Sequence, residues 1–150
     1  MKKMLCALLP LLLAMTPIVA AADRWVWVDA DDYVSYFFDG EAIKKVNSRD
    51  HPQSYSVWVK IQYTKAHAKE LLGSLPPEIA KKYHRLSYRL ELWQIDAEAS
   101  EYRTVKLTLY RDGDEAIESL SDNNAKWKNI EPGSRAEATI NAILEHIAKT

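Results

Sequence analysis

The sequence has a single cysteine and few glycines. The cysteine, Cys6, falls within an apolar N-terminal segment, so the rest of the chain has no thiol and its hydrophobic core must stabilise the fold without a disulfide. The four glycines all lie where a turn or a helix end is expected, which leaves none for a glycine-rich loop around a phosphate. The composition therefore excludes nucleotide binding by such a loop.

Charge of one sign is also lacking. The formal net charge is −1 at pH 7, and removal of residues 1–22, which hold two lysines and no acidic residue, would leave −3. A mildly acidic domain of this kind argues against a general nucleic-acid binder. We therefore expect no nucleic-acid partner.

The N-terminal segment has the features of a secretory signal peptide. Two lysines precede an apolar run over residues 4–19, and three alanines follow at 20–22. The run contains two prolines and is shorter than the roughly 20 apolar residues of a membrane-spanning helix. We therefore predict a removed signal peptide at 1–22 and a single exported domain, periplasmic or extracellular, at 23–150. No cysteine stands at the cleavage point, so we expect neither a lipid anchor nor a membrane span in the mature chain.

The segment 54–63 gives the clearest secondary-structure signal. Successive side chains of a strand point to opposite faces, so its alternation predicts a β-strand with one buried and one largely solvated face. The apolar side holds Tyr55, Val57, Val59, Ile61 and Tyr63, and the polar side holds Ser54, Ser56, Trp58, Lys60 and Gln62. We expect it to be an inner strand of an antiparallel sheet.

Other segments complete a sheet of about six strands. Strand patterns occur at residues 24–29, 33–38, 86–95, 103–110 and 116–120, and residues 41–46 fit either a helical turn or an extended segment. Leu90 and Leu92 lie on the apolar side of one segment. Leu107 and Leu109 lie on the apolar side of another and are expected to face the core.

Helix signals lie in the middle and at the end of the chain. Residues 65–72 and 75–83 predict two short helices that cross between strands and cover part of the sheet. The sequence 134–137 is a capping box. Apolar side chains then repeat at helical spacing on one face, at Ala136, Ile140, Ile143, Leu144 and Ile147. Burial of four large aliphatic side chains, at roughly 1.5–3 kcal/mol each, makes docking on the sheet decisive for this C-terminal helix. The pattern predicts a single α+β domain with the C-terminal helix and the short helical crossover on one face of the sheet.

Two features are candidates for binding a partner. The densest basic run contains Lys81, Lys82, Arg85 and Arg89, which either engage an acidic partner or lie on a solvated helix end and strand start. Trp58, on the polar side of its strand, either packs under the crossover helices or forms an exposed anchor. We predict these five residues as partner-binding residues.

The sequence offers no catalytic or metal-binding pattern. The four histidines have no ligand spacing, and the acidic cluster at 29–32 lacks the glycine and distal glutamate of a calcium loop. No nucleophile elbow or equivalent frame joins a serine to a histidine and an aspartate. We therefore predict no metal, no cofactor and no enzyme activity, with an unrecognised hydrolase as the remote alternative.

The order of several motifs resembles the surface-adhesin protein E family. The motifs are a tryptophan-rich first strand, Tyr36-Phe37-Phe38-Asp39 with Ile43, Val57-Trp58-Val59-Lys60, Asp96 with Tyr102-Arg103, and Trp127 before Ile130-Glu131-Pro132-Gly133-Ser134. The resemblance spans nearly the whole predicted domain. It implies an exported bacterial protein with an antiparallel sheet packed on helix. It also implies binding of a protein, either a host matrix protein or an envelope component, and leaves a homodimer open.

The chain departs from the family in its cysteines. The named adhesin carries a lipid on a cysteine after its signal, and many members have one cysteine after the aspartate that corresponds to Asp96 and another in the last helix. Here Ala97 and Leu144 stand at those places, and we predict that they lie close together as an apolar replacement for a disulfide.

Taken together, the residues and the resemblance predict an exported, non-catalytic protein-binding domain of the bacterial envelope. The alternative is a soluble periplasmic protein with a structural or inhibitory role.

Overall fold

The computed structural model describes residues 24–150, so the predicted signal peptide at 1–22 lies outside the described residues. The strands are β1 Trp25–Ala30, β2 Val34–Asp39, β3 Lys44–Val46, β4 Ser54–Tyr63, β5 Leu86–Asp96, β6 Glu101–Arg111, β7 Glu115–Ser121 and β8 Lys128–Asn129. The helices are α1 Lys65–Gly73, α2 Pro77–Lys82 and α3 Arg135–Lys149. The predicted α+β class is confirmed.

All the described strands pair antiparallel in one sheet. Its order is β1-β2-β4-β5-β6-β7, and the short strands β3 and β8 pair with β4 and β6. Strand β4 is therefore an inner strand, with the bounds that its alternation predicts. The segment 41–46, for which the sequence left two interpretations, ends in the extended strand β3.

The core lies between the sheet and α3. Val57 and Val59 of β4 are fully buried, and so are Ile143 of α3 and Phe38 of β2. Helix α3 packs against β1 and β2, the half of the sheet that comes first in the chain. Burial of side chains of this size contributes about 1.5–3 kcal/mol each, which holds an otherwise marginal helix in place.

The start of α3 is fixed by its capping residues. The Ser134 hydroxyl accepts a hydrogen bond from the Glu137 amide, and the Glu137 carboxylate accepts one from the Gly133 amide. Gly133 has a φ of 76°, a left-handed conformation that glycine adopts at little cost.

Ala97 is exposed in the turn after β5, whereas Leu144 packs against the core. The predicted contact between these two residues remains a prediction.

Strand β5 presents polar residues to the side of the sheet that carries α3, which we call the helix side. Trp93 pairs with Val57, and Glu91 pairs with Val59, which places the two β5 residues on the buried side of β4. Leu90 and Leu92 consequently lie on the opposite side. Leu107 lies opposite Glu91 and so faces the helix side, as the sequence predicts. The two leucine-rich segments thus point their leucines to opposite faces of the sheet.

Candidate functional site

The sheet face opposite α3 carries large apolar and basic side chains. We call it the open face and define it by three rows of paired residues: Trp58, Leu92 and Lys106; Lys60, Leu90 and Thr108; Gln62, Tyr88 and Tyr110. Both leucines are only partly buried although they lie on a central strand. Trp27, which belongs to the same face at its β1 edge, is 59% exposed. An apolar surface of this kind on an otherwise polar protein is typical of an interaction site.

Basic side chains on the open face lie over aromatic rings. Lys60 Nζ is 4.4 Å from the centre of the Tyr88 ring and 5.7 Å from that of Trp25. Lys106 Nζ is 6.0 Å from the centre of the Trp58 ring. The partners of these two lysines are strand residues, so the stacking orders the face without help from a helix. Each cation–π contact contributes about 0.5–1 kcal/mol at an exposed site.

The charges of these lysines are not neutralised by ion pairs. Within residues 24–150, no carboxylate lies within 4.0 Å of the amino group of Lys60 or Lys106. Arg103, whose guanidinium stacks on Trp127 at the end of the same face, donates only to the uncharged Gln94 side chain and the Ala125 carbonyl. The open face is therefore basic although the whole chain has a formal charge of −1.

The predicted partner-binding residues do not form one surface. Trp58 lies on the open face, whereas Arg89 faces the helix side and donates to Glu91 at 2.7 Å. Lys81 and Lys82 lie at the end of α2, where Lys82 forms an ion pair with Glu118 at 3.0 Å. Arg85 follows in the turn before β5, with Asp112 3.9 Å away. Of the five residues, Trp58 alone belongs to the open face.

A groove lies on the helix side, between the start of α3 and the strands that α3 does not cover. Its volume is about 430 Å³, and it is lined among others by Tyr36, Arg89, Glu91, Tyr102, Thr104 and Lys128. We call it the helix-side groove. Burial raises the pKa of Tyr36, so its hydroxyl keeps its proton at neutral pH. Burial also disfavours the charged form of Arg89, but Glu91 and Tyr63 outweigh that effect and raise its pKa.

A histidine–aspartate pair joins the loop before β4 to the end of β5. His51 Nδ1 lies 2.7 Å from Asp96 Oδ2, and the His51 ring stacks on Trp127 with the ring centres 3.8 Å apart. The Ala99 amide donates to Asp96, and together with His51 it holds the pKa of that carboxyl below its ordinary value despite burial. The pair anchors the loop to the end of β5, and no serine hydroxyl of the described chain bonds to the His51 ring.

Residues 24–150 were compared with the requirements of a metal site and of a membrane-spanning helix. No group of three histidine, cysteine or acidic side chains is arranged to hold a metal ion there. No helix in this part of the chain has the length and hydropathy to span a membrane.

Sequence reasoning did not select Lys60, Lys106 or Leu90, because their common face depends on the strand pairing. The sequence signal that could have identified this face is Lys60, which lies on the same side of β4 as Trp58.

The family model of surface-adhesin protein E matches residues 25–143 of the chain. The match covers the sheet, both short helices and most of α3. No curated protein and no solved structure matches the sequence.

Proposed function

Because the chain belongs to the surface-adhesin protein E family, we propose that it is an exported, non-catalytic protein that binds a partner protein through the open face. The observation that carries this proposal is the apolar and basic open face opposite α3. Half-buried leucines and aromatic rings supply contact area, and the unpaired lysines supply charge. Aromatic and basic side chains of this kind dominate the energetics of protein interfaces.

The partner surface that fits the open face is acidic and partly apolar. Lys60, Lys106 and Arg103 attract carboxylates, and desolvation strengthens their charge-assisted hydrogen bonds. Leu90, Leu92 and Trp58 on the same face need apolar contacts from the partner. A host matrix protein or an envelope component with an acidic patch meets both requirements.

A binding experiment with paired charge reversals tests the choice of surface. The purified protein is used in pull-downs against envelope extracts and matrix proteins, in three forms. These forms are the wild type, the open-face variant Lys60→Glu with Lys106→Glu, and the control variant Lys65→Glu with Lys81→Glu. The control changes net charge by the same amount, and its two lysines are exposed on α1 and α2.

We expect the open-face variant to lose binding by at least about tenfold and the control variant to keep it. Added salt weakens the wild-type interaction, since charge contributes to it. Equal binding by the wild type and the open-face variant would refute the open face as the binding surface. Loss of binding in the control variant alone would instead favour the basic run at 81–89.

The proposed export is tested by the N-terminus of the protein isolated from the cell envelope or medium. Peptide mass spectrometry is expected to find a chain that begins after Ala20 or Ala22 and lacks the preceding residues. A chain that retains Lys2 and Lys3 in the envelope fraction contradicts cleavage.

A further inference from the structure

The helix-side groove has the size and lining of a small-ligand site, separate from the open face. We propose that it binds an acidic sugar, with the carboxylate held by Arg89 and Lys128. Its volume of about 430 Å³ falls within the range of about 300–1,000 Å³ that is usual for such sites. The groove lies on the other face of the sheet from Lys60 and Lys106, so the inference does not depend on the proposed partner surface.

The carboxylate among the lining residues of the groove is already hydrogen-bonded. Both carboxylate oxygens of Glu91 accept hydrogen bonds, one from Arg89 Nε at 2.7 Å and one from Trp93 Nε1 at 2.7 Å. Glu91 is only 8% exposed, so it is fixed in this arrangement and presents little acceptor surface to a ligand. A ligand that enters the groove therefore meets a carboxylate that is already paired.

Donors, in contrast, remain in excess. Arg89 has five N–H groups, and its bonds within residues 24–150 use Nε toward Glu91 and Nη1 toward the Tyr63 hydroxyl at 2.7 Å. Lys128 Nζ lies 4.6 Å from the centre of the Tyr102 ring, and in this part of the chain no carboxylate lies within 4.0 Å of it. Two cations against one carboxylate give the groove a net positive charge. Excess donors and positive charge select an anionic ligand.

The aromatic walls narrow the class of anion. Tyr36 and Tyr102 are partly buried, and both line the groove. Each ring already has a cation near one face, Arg135 at 5.6 Å from the centre of Tyr36 and Lys128 at 4.6 Å from that of Tyr102, and a sugar ring adds C–H contacts that a bare inorganic anion lacks. Tyr36 and Thr104 also line the groove, and their hydroxyls are groups that can bond sugar hydroxyls. A carboxylated sugar ring satisfies the charge, the donors and the apolar walls together.

Isothermal titration calorimetry with D-glucuronate as the probe tests this assignment, and D-glucose serves as its uncharged counterpart. We expect glucuronate to bind the wild-type protein at millimolar concentration and glucose to bind at least about tenfold more weakly. Lys128→Gln, at an exposed position, is expected to weaken glucuronate binding several-fold. Arg89→Lys keeps the charge but removes the planar donor fork, so a loss of about tenfold is expected. Lys65→Gln removes a positive charge at an exposed position of α1 and is expected to leave glucuronate binding unchanged.

Thermal melts of each variant ensure that only folded protein is compared, and Lys128→Gln provides the test if Arg89→Lys does not fold. The proposal is overturned if the wild type gives no binding heat with millimolar glucuronate. It is also overturned if glucose binds as tightly as glucuronate, or if Lys65→Gln weakens binding as much as Lys128→Gln.

Discussion

The orientation of β5 allows a direct test by two neighbouring substitutions, Glu91→Gln and Leu90→Thr. A simple hydrophobic pattern places Leu90 in the core and Glu91 in water, so Leu90→Thr would be the damaging change. The structure places Glu91 on the helix side at 8% exposure and Leu90, half-buried, on the open face. The expected order of destabilisation is therefore reversed.

The magnitude follows from the contacts that each change removes. Glu91→Gln keeps the shape of the side chain but removes the charge beside Arg89 and replaces one acceptor with a donor. Loss of a hydrogen bond to a charged group costs about 1.5–3 kcal/mol, and the Arg89 side chain is 31% exposed, so water compensates in part. We expect a loss of about 2 kcal/mol. Leu90→Thr removes partly exposed apolar area and introduces a good strand former, so about 1 kcal/mol or less is expected.

Thermal unfolding followed by circular dichroism resolves this difference. With an unfolding entropy of about 2.1 cal/mol/K per residue, a domain of about 130 residues loses about 4 °C in Tm per kcal/mol. Glu91→Gln is then expected to lower Tm by about 7 °C and Leu90→Thr by about 4 °C or less. Glu145→Gln is the matched control, because both partners of its pair with Lys149 are more than 70% exposed and it should change Tm by less than about 2 °C. A larger loss from Leu90→Thr than from Glu91→Gln would refute the register of β5.

Three further predictions concern the core, the helix cap and acid stability. Ile143→Ala, at a fully buried position of α3, is expected to cost about 2–5 kcal/mol in urea unfolding, and an unchanged midpoint would show that α3 is not docked as described. Ser134→Ala removes the acceptor of the Glu137 amide and is expected to cost about 1 kcal/mol, whereas Ser134→Asp should keep most of the stability. The folded-state pKa of Asp96 lies below its ordinary value, so its stabilising effect is complete above about pH 5, where the unfolded chain is also ionised at this position, and disappears as the pH falls through the folded-state pKa. The stability difference between wild type and Asp96→Asn should accordingly shrink between about pH 5 and pH 2, and a difference that grows on acidification would contradict the assignment.

Much of the fold could be predicted because its signals are local. The bounds of β4, the Thr64 cap of α1 and the Ser134 cap of α3 each follow from a few consecutive residues. The apolar period of α3 is equally local, and it correctly identifies Ile140 and Ile143 as core residues. The order of motifs along the chain predicted the family, which the family model confirms over residues 25–143.

The candidate sites were harder to predict because they depend on residues far apart in the chain. Arg89 belonged to the predicted basic run, but the structure separates it from Lys81 and Lys82 and pairs it with Glu91. Trp58 was selected from its position on β4, yet Lys106 beside it comes from another strand.

The sequence alone determined the three helices and the six longer strands of residues 24–150, since alternation, helical period and caps act over a few residues. Only the tertiary structure decided which face of β5 is buried. An alternating strand has two faces, and a register that places Glu91 opposite both Val59 and Leu107 turns Leu90 and Leu92 away from α3. That single choice of register produces both the open face and the polar floor of the helix-side groove.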